Sequence, residues 1–167
     1  MLSDIEIRAK DFATCAHEGQ VRKYTGEPYI GHPAAVAALV RSVPHTPEML
    51  AAAWLHDTVE DCGVTLEEVR RLFGPEVAYM VECLTDVSKP EDGNRRHRKA
   101  IDMRHTSQAS PQAKTIKLAD LIDNTRSIVE HDPAFAKVYL AEKRLLLGAL
   151  VEGDPTLWDQ ASAIAHQ

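Results

Sequence analysis

The chain is punctuated by helix starts. Thr46-Pro47, Ser110-Pro111, Asp132-Pro133 and Asp154-Pro155 each place a side-chain oxygen directly before a proline. A capping oxygen satisfies exposed N–H groups of the first turn, and proline suits a first-turn position because its missing N–H has no helical partner there. Thr65-Leu-Glu-Glu68 adds a capping box, and Gly74-Pro75 stops one helix and opens the next. Between these marks the apolar residues recur at helical spacing, as in Ile5, Ala9, Phe12, Ala13 and Ala16 after the candidate N-cap Ser3. No stretch alternates long enough for a credible strand, and the β-branched and aromatic residues that strands prefer are sparse. The pattern predicts an all-α bundle of about nine helices.

At 167 residues, with 44% hydrophobic and 26% charged side chains, the chain has the length of one domain and the composition of a globular protein. A single domain over residues 1–167 is therefore expected. There is no internal repeat, low-complexity tract or interdomain linker. The apolar runs, such as Ala34–Val40, fall short of the roughly 20 residues of a membrane span. The start, Met1-Leu-Ser-Asp-Ile-Glu6, is acidic and lacks a signal-peptide core, so a cytoplasmic location is expected. The net charge of −6 disfavours a nucleic-acid partner, which would call for a basic face. Cys15, Cys62 and Cys83 are odd in number and lack close pairing, and they read as core thiols rather than disulfides or zinc ligands.

Against this background one stretch stands out. Ala51-Ala-Ala-Trp-Leu55 is a buried helical run, and it ends in His56-Asp57 with Glu60-Asp61 one turn later. Residues four apart share a helix face, which predicts His56 over Glu60 and Asp57 over Asp61. Ionisable groups that interrupt an apolar run are tolerated when they are paired or bind metal. His32, in Gly31-His-Pro33, begins the preceding helix, and short connections favour antiparallel neighbours, so the two helix ends are expected to meet. Asp120, in Ile116-Lys-Leu-Ala-Asp-Leu-Ile122, shares a polar stripe with Lys117 and Asn124, and a Lys117–Asp120 ion pair is the plain structural reading. Two histidines and two aspartates would make an N2O2 set with room for water, suited to a catalytic manganese, iron or zinc ion. The basic clusters Arg22-Lys23 and Arg95-Arg-His-Arg-Lys99 are the places where a small, highly charged anion would be received. Motifs of zinc proteases, serine hydrolases and P-loop NTPases are absent.

The H…HD…D series of His32, His56-Asp57 and Asp120 resembles the signature of the HD-domain metal-dependent phosphohydrolases, an all-α superfamily. Four further segments narrow the resemblance: Ala16-His-Glu-Gly-Gln-Val-Arg-Lys23, Gly26-Glu-Pro-Tyr-Ile-Gly-His-Pro33, Leu55-His-Asp-Thr-Val-Glu-Asp61, and Lys117-Leu-Ala-Asp120 with Asn124. They are similar to the hydrolase domain of RelA/SpoT-type proteins and to the stand-alone small alarmone hydrolases. The likeness runs from about Ile5 to Leu150, and a hydrolase domain with no synthetase half is the expectation. It implies a manganese-dependent 3′-pyrophosphohydrolase of (p)ppGpp, releasing pyrophosphate and GDP or GTP. His32, His56, Asp57 and Asp120 match the metal ligands, and Glu60 and Asp61 match the acidic pair that acts on the attacking water. Arg22 and Lys23 match a basic pair near the nucleobase, Asn124 a polar residue near the ribose or phosphate, and Tyr139 a tyrosine of the nucleotide pocket. Arg95 and Arg98, with their basic neighbours, would gather the 5′ phosphates.

The segments Leu121-Ile-Asp123 and Thr125–Asp132 depart from the common patterns, so a (p)ppApp-type substrate stays open beside the guanine nucleotide. So does another HD-type nucleotide phosphohydrolase. A catalytically silent nucleotide sensor is the alternative from a different class, and the Glu60-Asp61 pair counts against it. The oligomeric state, a homodimer included, is not fixed by the sequence.

Overall fold

In the computed structural model, which describes residues 1–167, the helix starts fall where the caps place them. There are ten α-helices: α1 Asp4–Ala16, α2 Gly31–Arg41, α3 Pro47–Leu55, α4 Thr58–Asp61, α5 Leu66–Phe73, α6 Pro75–Leu84, α7 Arg95–Ser107, α8 Pro111–His131, α9 Pro133–Ala149 and α10 Pro155–Ala165. Ser3, Thr46, Thr65, Asn94, Ser110, Asp132 and Asp154 each accept a backbone N–H from the first turn that follows them. The expected Ser88–Asn94 loop carries one 3-10 turn, Pro90–Asp92. An isolated antiparallel bridge, Val21 to Pro28, ties the loop after α1. No helix is long and apolar enough to cross a membrane.

The helix expected to continue through His56-Asp57 is broken there, which is why ten helices stand where about nine were predicted. Side chains take over the carbonyls at the end of α3: His56 Nδ1 donates to Ala53 O and Thr58 Oγ1 donates to Leu55 O, both at 2.7 Å. Local side-chain bonds of this kind compete with the helical ladder. The ladder resumes with Asp61 N–H to Asp57 O at 2.9 Å, so the predicted Asp57–Asp61 relation survives the break.

Contacts divide the chain into two units, Met1–Thr85 and Asp86–Gln167. In the first, α3 is the central helix and packs against α1, α2 and α6, with α5 against α6. Its apolar residues point all round, and every position from Met49 to Leu55 is buried, as a helix surrounded by others requires. Gly74, at φ +91°, turns the chain between α5 and α6 in a conformation that side chains rarely adopt.

In the second unit α8 is central, packed against α9 and α10, and α7 lies against α9. Gly153 is needed for closeness rather than for its dihedrals: a Cβ there would come within 2.7 Å of Leu118 Cδ1. Asp102, buried on α7, accepts from the N–H groups of Val87 and Ser88 (3.0 and 2.9 Å) and from the Ser88 hydroxyl (2.8 Å), fixing the segment that enters the 3-10 turn. Of the cysteines only Cys83 is a core thiol. Cys15, on α1, is exposed and Cys62, at the C-cap of α4, is half-buried, and all three are free.

No spacing or motif marks the buried carboxylate of Glu6. It is 0% exposed, accepts from Trp54 Nε1 at 3.2 Å and is paired with Arg41 Nη2, while its Oε2 has no partner. Removing one member of such a set strands the others. Glu6→Ala should lower the unfolding free energy by about 2–3 kcal/mol, and Glu6→Gln, which can still accept from Trp54, by less. Urea unfolding midpoints compared at a common m-value check the order.

Candidate metal centre and catalytic site

His32 is the second residue of α2, and His56 closes α3. Packing of α2 on α3 brings these two ends together as expected. Both imidazoles are buried, 1% and 2% exposed. His56 Nδ1 donates to the Ala53 carbonyl, so a neutral His56 carries its lone pair on Nε2. That atom faces His32 Nε2 at 3.2 Å and Asp57 Oδ2 at 3.1 Å, and Asp57 Oδ2 lies 3.5 Å from His32 Nε2. The three donor atoms fall within 4.8 Å of one another.

Lone pairs converging in a buried place repel unless a cation or proton sits among them. Separations slightly above 3 Å are what two ligands about 2.1 Å from a common ion show at a right angle. The donor set therefore fits a divalent metal, with two imidazoles and a carboxylate from this unit. Outer partners hold these ligands in place, as metal sites require. Ala53 O sets the His56 tautomer, and the Tyr29 hydroxyl donates to Asp57 Oδ2 at 2.6 Å. Tyr29 packs in turn on His32, ring centroids 5.7 Å apart, and on His17 at 4.9 Å. Asp57 itself has φ −100° and ψ −3°, in the sparsely populated bridge region where many site residues sit.

Glu60 and Asp61 follow on the single turn of α4, both at the surface. Burial of its carboxyl and then the charge of Asp57 push the Asp61 pKa above the ordinary carboxylate value, while His17, a side-chain hydrogen bond from Gln20 and His56 pull it back. Cys62, beside Asp61, has its Sγ 3.2 Å from His17 Nδ1. Burial, then Asp61 and Asp57, push that thiol up and keep it protonated. Sequence reasoning left His17, Gln20 and Tyr29 without roles. The available signal was the unusually varied polar content of the loop after α1.

The remaining basic loop residues sit differently. Arg22 is half-buried and its N–H bonds Glu27 O at 2.8 Å. Lys23 is exposed, with Nζ over the Tyr24 ring at 5.0 Å.

Asp120 belongs to the second unit, on α8, and is 7% exposed. Lys117 Nζ donates to its Oδ2 at 2.9 Å and Asn124 Nδ2 to its Oδ1 at 2.8 Å. The predicted stripe is thus real, and the Lys117–Asp120 ion pair is formed, half-buried rather than at the surface. Tyr139, on α9, is buried, and burial and then the charge of Asp120 raise its pKa.

A cavity of about 800 Å³ opens between α7 and α9, with Arg95, Arg96, Lys99, Lys117, Lys137 and Lys143 in its wall. Arg95 is held there by Glu142, Nε to Oε1 at 2.7 Å and Nη2 to Oε2 at 2.9 Å, and lies over the Phe135 ring. Burial would raise the Glu142 pKa, but the hydrogen bonds and charge of Arg95 hold it below the usual value. Arg98 is not among the wall residues. Lys137 and Lys143 were missed in the sequence because they are spread along α9 rather than clustered. Burial, with repulsion from Lys117 and Lys99, brings the Lys143 pKa down to about 8.

Comparison with known proteins bears on the whole of this geometry. The HD domain family model matches residues 9–146. The chain belongs to the HD domain family. Within this HD domain group it is 39% identical over 125 residues to a human guanosine-3′,5′-bis(diphosphate) 3′-pyrophosphohydrolase, a match covering 73% of this chain and 68% of that protein. It is 40% identical over 124 residues to a probable enzyme of the same name from Synechocystis, covering 72% of this chain but 16% of the relative. The Escherichia coli bifunctional (p)ppGpp synthase/hydrolase SpoT is 39% identical over 116 residues, again 16% of its length. This HD chain thus spans a small part of the long relatives it matches. Among solved structures, a metazoan ortholog of SpoT described as hydrolysing ppGpp superposes with a TM-score of 0.87 and 28% identity, over 99% of this chain and 96% of the other. A Listeria monocytogenes protein follows at 0.69 and 26%, over 86% and 96%.

Two substitutions test the centre. His56→Ala should abolish stoichiometric divalent-metal binding measured by elemental analysis after desalting. Tyr29→Phe should keep the ion but weaken its affinity by about 10- to 100-fold in a competitive chelator titration.

Proposed function

We propose that this HD domain is a metal-dependent 3′-pyrophosphohydrolase of (p)ppGpp-type nucleotides, with manganese as its ion and the cytoplasm as its location. The observation that carries the reading is the cluster of His32, His56 and Asp57 with an acid pair, Glu60-Asp61, one turn beyond it. The resemblance of Lys117-Leu-Ala-Asp120 to the family's last motif assigns Asp120 as fourth ligand. The family model takes in residues of both units, which supports treating the chain as one hydrolase domain. The relatives named as guanosine-3′,5′-bis(diphosphate) 3′-pyrophosphohydrolases support the substrate class.

A divalent ion held by these residues would lower the pKa of water and offset charge on the phosphate under attack. Glu60 and Asp61 are assigned to orient the attacking water and accept its proton. The raised pKa of Asp61 makes it a stronger base than a solvated aspartate. Arg22 and Lys23 are assigned to the nucleobase, Asn124 and Tyr139 to the ribose and its surroundings, and Arg95 and Arg98 to the 5′ phosphates. Lys143 joins this last group on its placement in the cavity wall beside Arg95, Lys99 and Lys117.

The experiment is pyrophosphate release from ppGpp, ppApp and simple nucleoside di- and triphosphates with Mn²⁺ present. Release from ppGpp or ppApp alone is the expected result, and Glu60→Gln or Asp61→Asn should lower kcat on the order of 10²-fold or more. Wild-type turnover in both variants would remove their assigned role. Release from none of the nucleotides would remove the hydrolase reading.

Lys143 gives a pH signature. Below about pH 8 it is protonated and attracts a phosphate, and above that value the charge is lost. KM for ppGpp should therefore be flat below pH 8 and rise by up to about tenfold above it, the worth of one charge-assisted hydrogen bond. Lys143→Met should show the high KM at every pH.

A further inference from the structure

The cations that line the cavity between α7 and α9 are not held alike. Lys137 is exposed, and Lys99 Nζ lies 3.6 Å from Asp86, a loose pair. Arg95 is fixed on two sides. Its Nε donates to Glu142 Oε1 at 2.7 Å and its Nη2 to Glu142 Oε2 at 2.9 Å, a fork that uses both carboxylate oxygens and sets the plane of the guanidinium. Beneath that plane lies the Phe135 ring, its centroid 5.1 Å from Cζ. Phe135 packs in turn on the buried Tyr139, centroids 6.0 Å apart. Phe135, Tyr139 and Glu142 are four and three residues apart on α9 and so share one helix face. Arg95 itself is the first residue of α7, whose start is set by the Asn94 cap.

The fork to Glu142 uses the Nε–H and one N–H of Nη2. The other N–H groups, both of Nη1 and the second of Nη2, have no part in it. Arg95 lines the cavity with 45% of its side chain exposed, so the held guanidinium keeps an open edge of the kind onto which a phosphate forks. Glu142 is in the same wall, and a carboxylate beside an anion site either competes for the arginine or holds it. A free arginine would lose its rotamer freedom when an anion bound, and Glu142 with Phe135 removes that freedom beforehand. The opposing repulsion between Glu142 and an anion acts across an intervening positive charge and near solvent, where it is screened. The geometry favours holding.

We propose that Glu142 is a positioning residue for Arg95, fixing its guanidinium against Phe135 so that the remaining N–H edge receives the 5′ phosphates, and that it thereby sets the preference for 5′-phosphorylated nucleotides. The inference rests on the assignment of Arg95 made above. Glu142 acts on binding of one end of the substrate, so its effect belongs to KM and to the choice of 5′ group rather than to kcat or metal affinity.

The test is steady-state hydrolysis by the full chain with saturating Mn²⁺, comparing Glu142→Ala, Glu142→Gln, Arg95→Met and the double variant Arg95→Met/Glu142→Ala. The KM for ppGpp is set against the KM, or where turnover is slow the competitive inhibition constant, of guanosine 3′-diphosphate, which lacks 5′ phosphates. Circular dichroism and metal content are recorded for each variant. Glu142→Ala should raise KM for ppGpp by about three- to tenfold, the cost of immobilising one long side chain, with kcat and the constant for guanosine 3′-diphosphate within about twofold. Glu142→Gln, which keeps an acceptor for Arg95, should fall between wild type and Glu142→Ala. In the Arg95→Met background the added Glu142→Ala change should have little further effect, since a residue acting through a partner loses its influence when the partner is gone. A parallel weakening of both nucleotides by Glu142→Ala would reduce Glu142 to a structural clamp, and a lowered KM in Glu142→Gln would make it a competitor for Arg95. Either result overturns the positioning role while leaving the hydrolase reading intact. An unchanged KM for ppGpp in Arg95→Met would overturn the role of Arg95 on which the inference rests, and release of pyrophosphate from neither nucleotide by the wild type would overturn the hydrolase reading and the inference with it.

Discussion

Everything in this molecule that bears on chemistry depends on one arrangement, the convergence of His56 Nε2, His32 Nε2 and Asp57 Oδ2 inside 4.8 Å. Two buried imidazole nitrogens 3.2 Å apart, one of them with its lone pair directed inward by the Ala53 carbonyl, form a set that is stable only around positive charge. The packing around it follows from that need. Three consecutive alanines, Ala51–Ala53, keep α3 slender and wholly buried, so that the start of α2 can reach its end. The helix then stops, because His56 and Thr58 bond back to the carbonyls of Ala53 and Leu55. A continuous helix would have left those carbonyls in the ladder and His56 without the bond that sets its tautomer.

Much of this was legible in the sequence, for identifiable reasons. Cap-plus-proline pairs are local signals, read by the chain within one turn, and the helix starts at Pro47, Pro111, Pro133 and Pro155 match them. The ionisable pair at His56-Asp57 interrupts an apolar run, and burial makes such an interruption conspicuous. The break between α3 and α4 was not legible, because it depends on side-chain rotamers that choose a backbone carbonyl over solvent. Glu6 was hidden for a related reason. Its carboxylate is buried through partners at positions 41 and 54, and long-range pairing leaves no mark on spacing. The cysteines misled, since composition speaks to the average thiol and not to which helix face Cys15 occupies.

At the site, the approach of His32 to His56-Asp57 was expected from the helix ends, but the side chains that surround them were not. Tyr29 holds Asp57, so the loop between α1 and α2 serves the chemistry from behind while its basic residues are assigned to the substrate. Outer partners of this kind have no characteristic residue type, and geometry alone reveals them. In the cavity between α7 and α9, the notable charges are divided. Arg95 is committed to Glu142, whereas Lys143, destabilised by burial and by neighbouring lysines, gains most from an incoming anion. Asp120 has Lys117 and Asn124 on its two oxygens, which fix the orientation of the carboxylate proposed as fourth ligand.

The central claim, that hydrolysis runs through an ion held by His32, His56, Asp57 and Asp120, is tested most directly by stripping and restoring the metal. Protein treated with a chelator and desalted should lose pyrophosphate release from ppGpp. Titrating Mn²⁺ back should restore it in proportion to occupancy, with saturation at one ion per chain. Undiminished release by metal-free protein, or restoration that does not track occupancy of one site, would contradict the account.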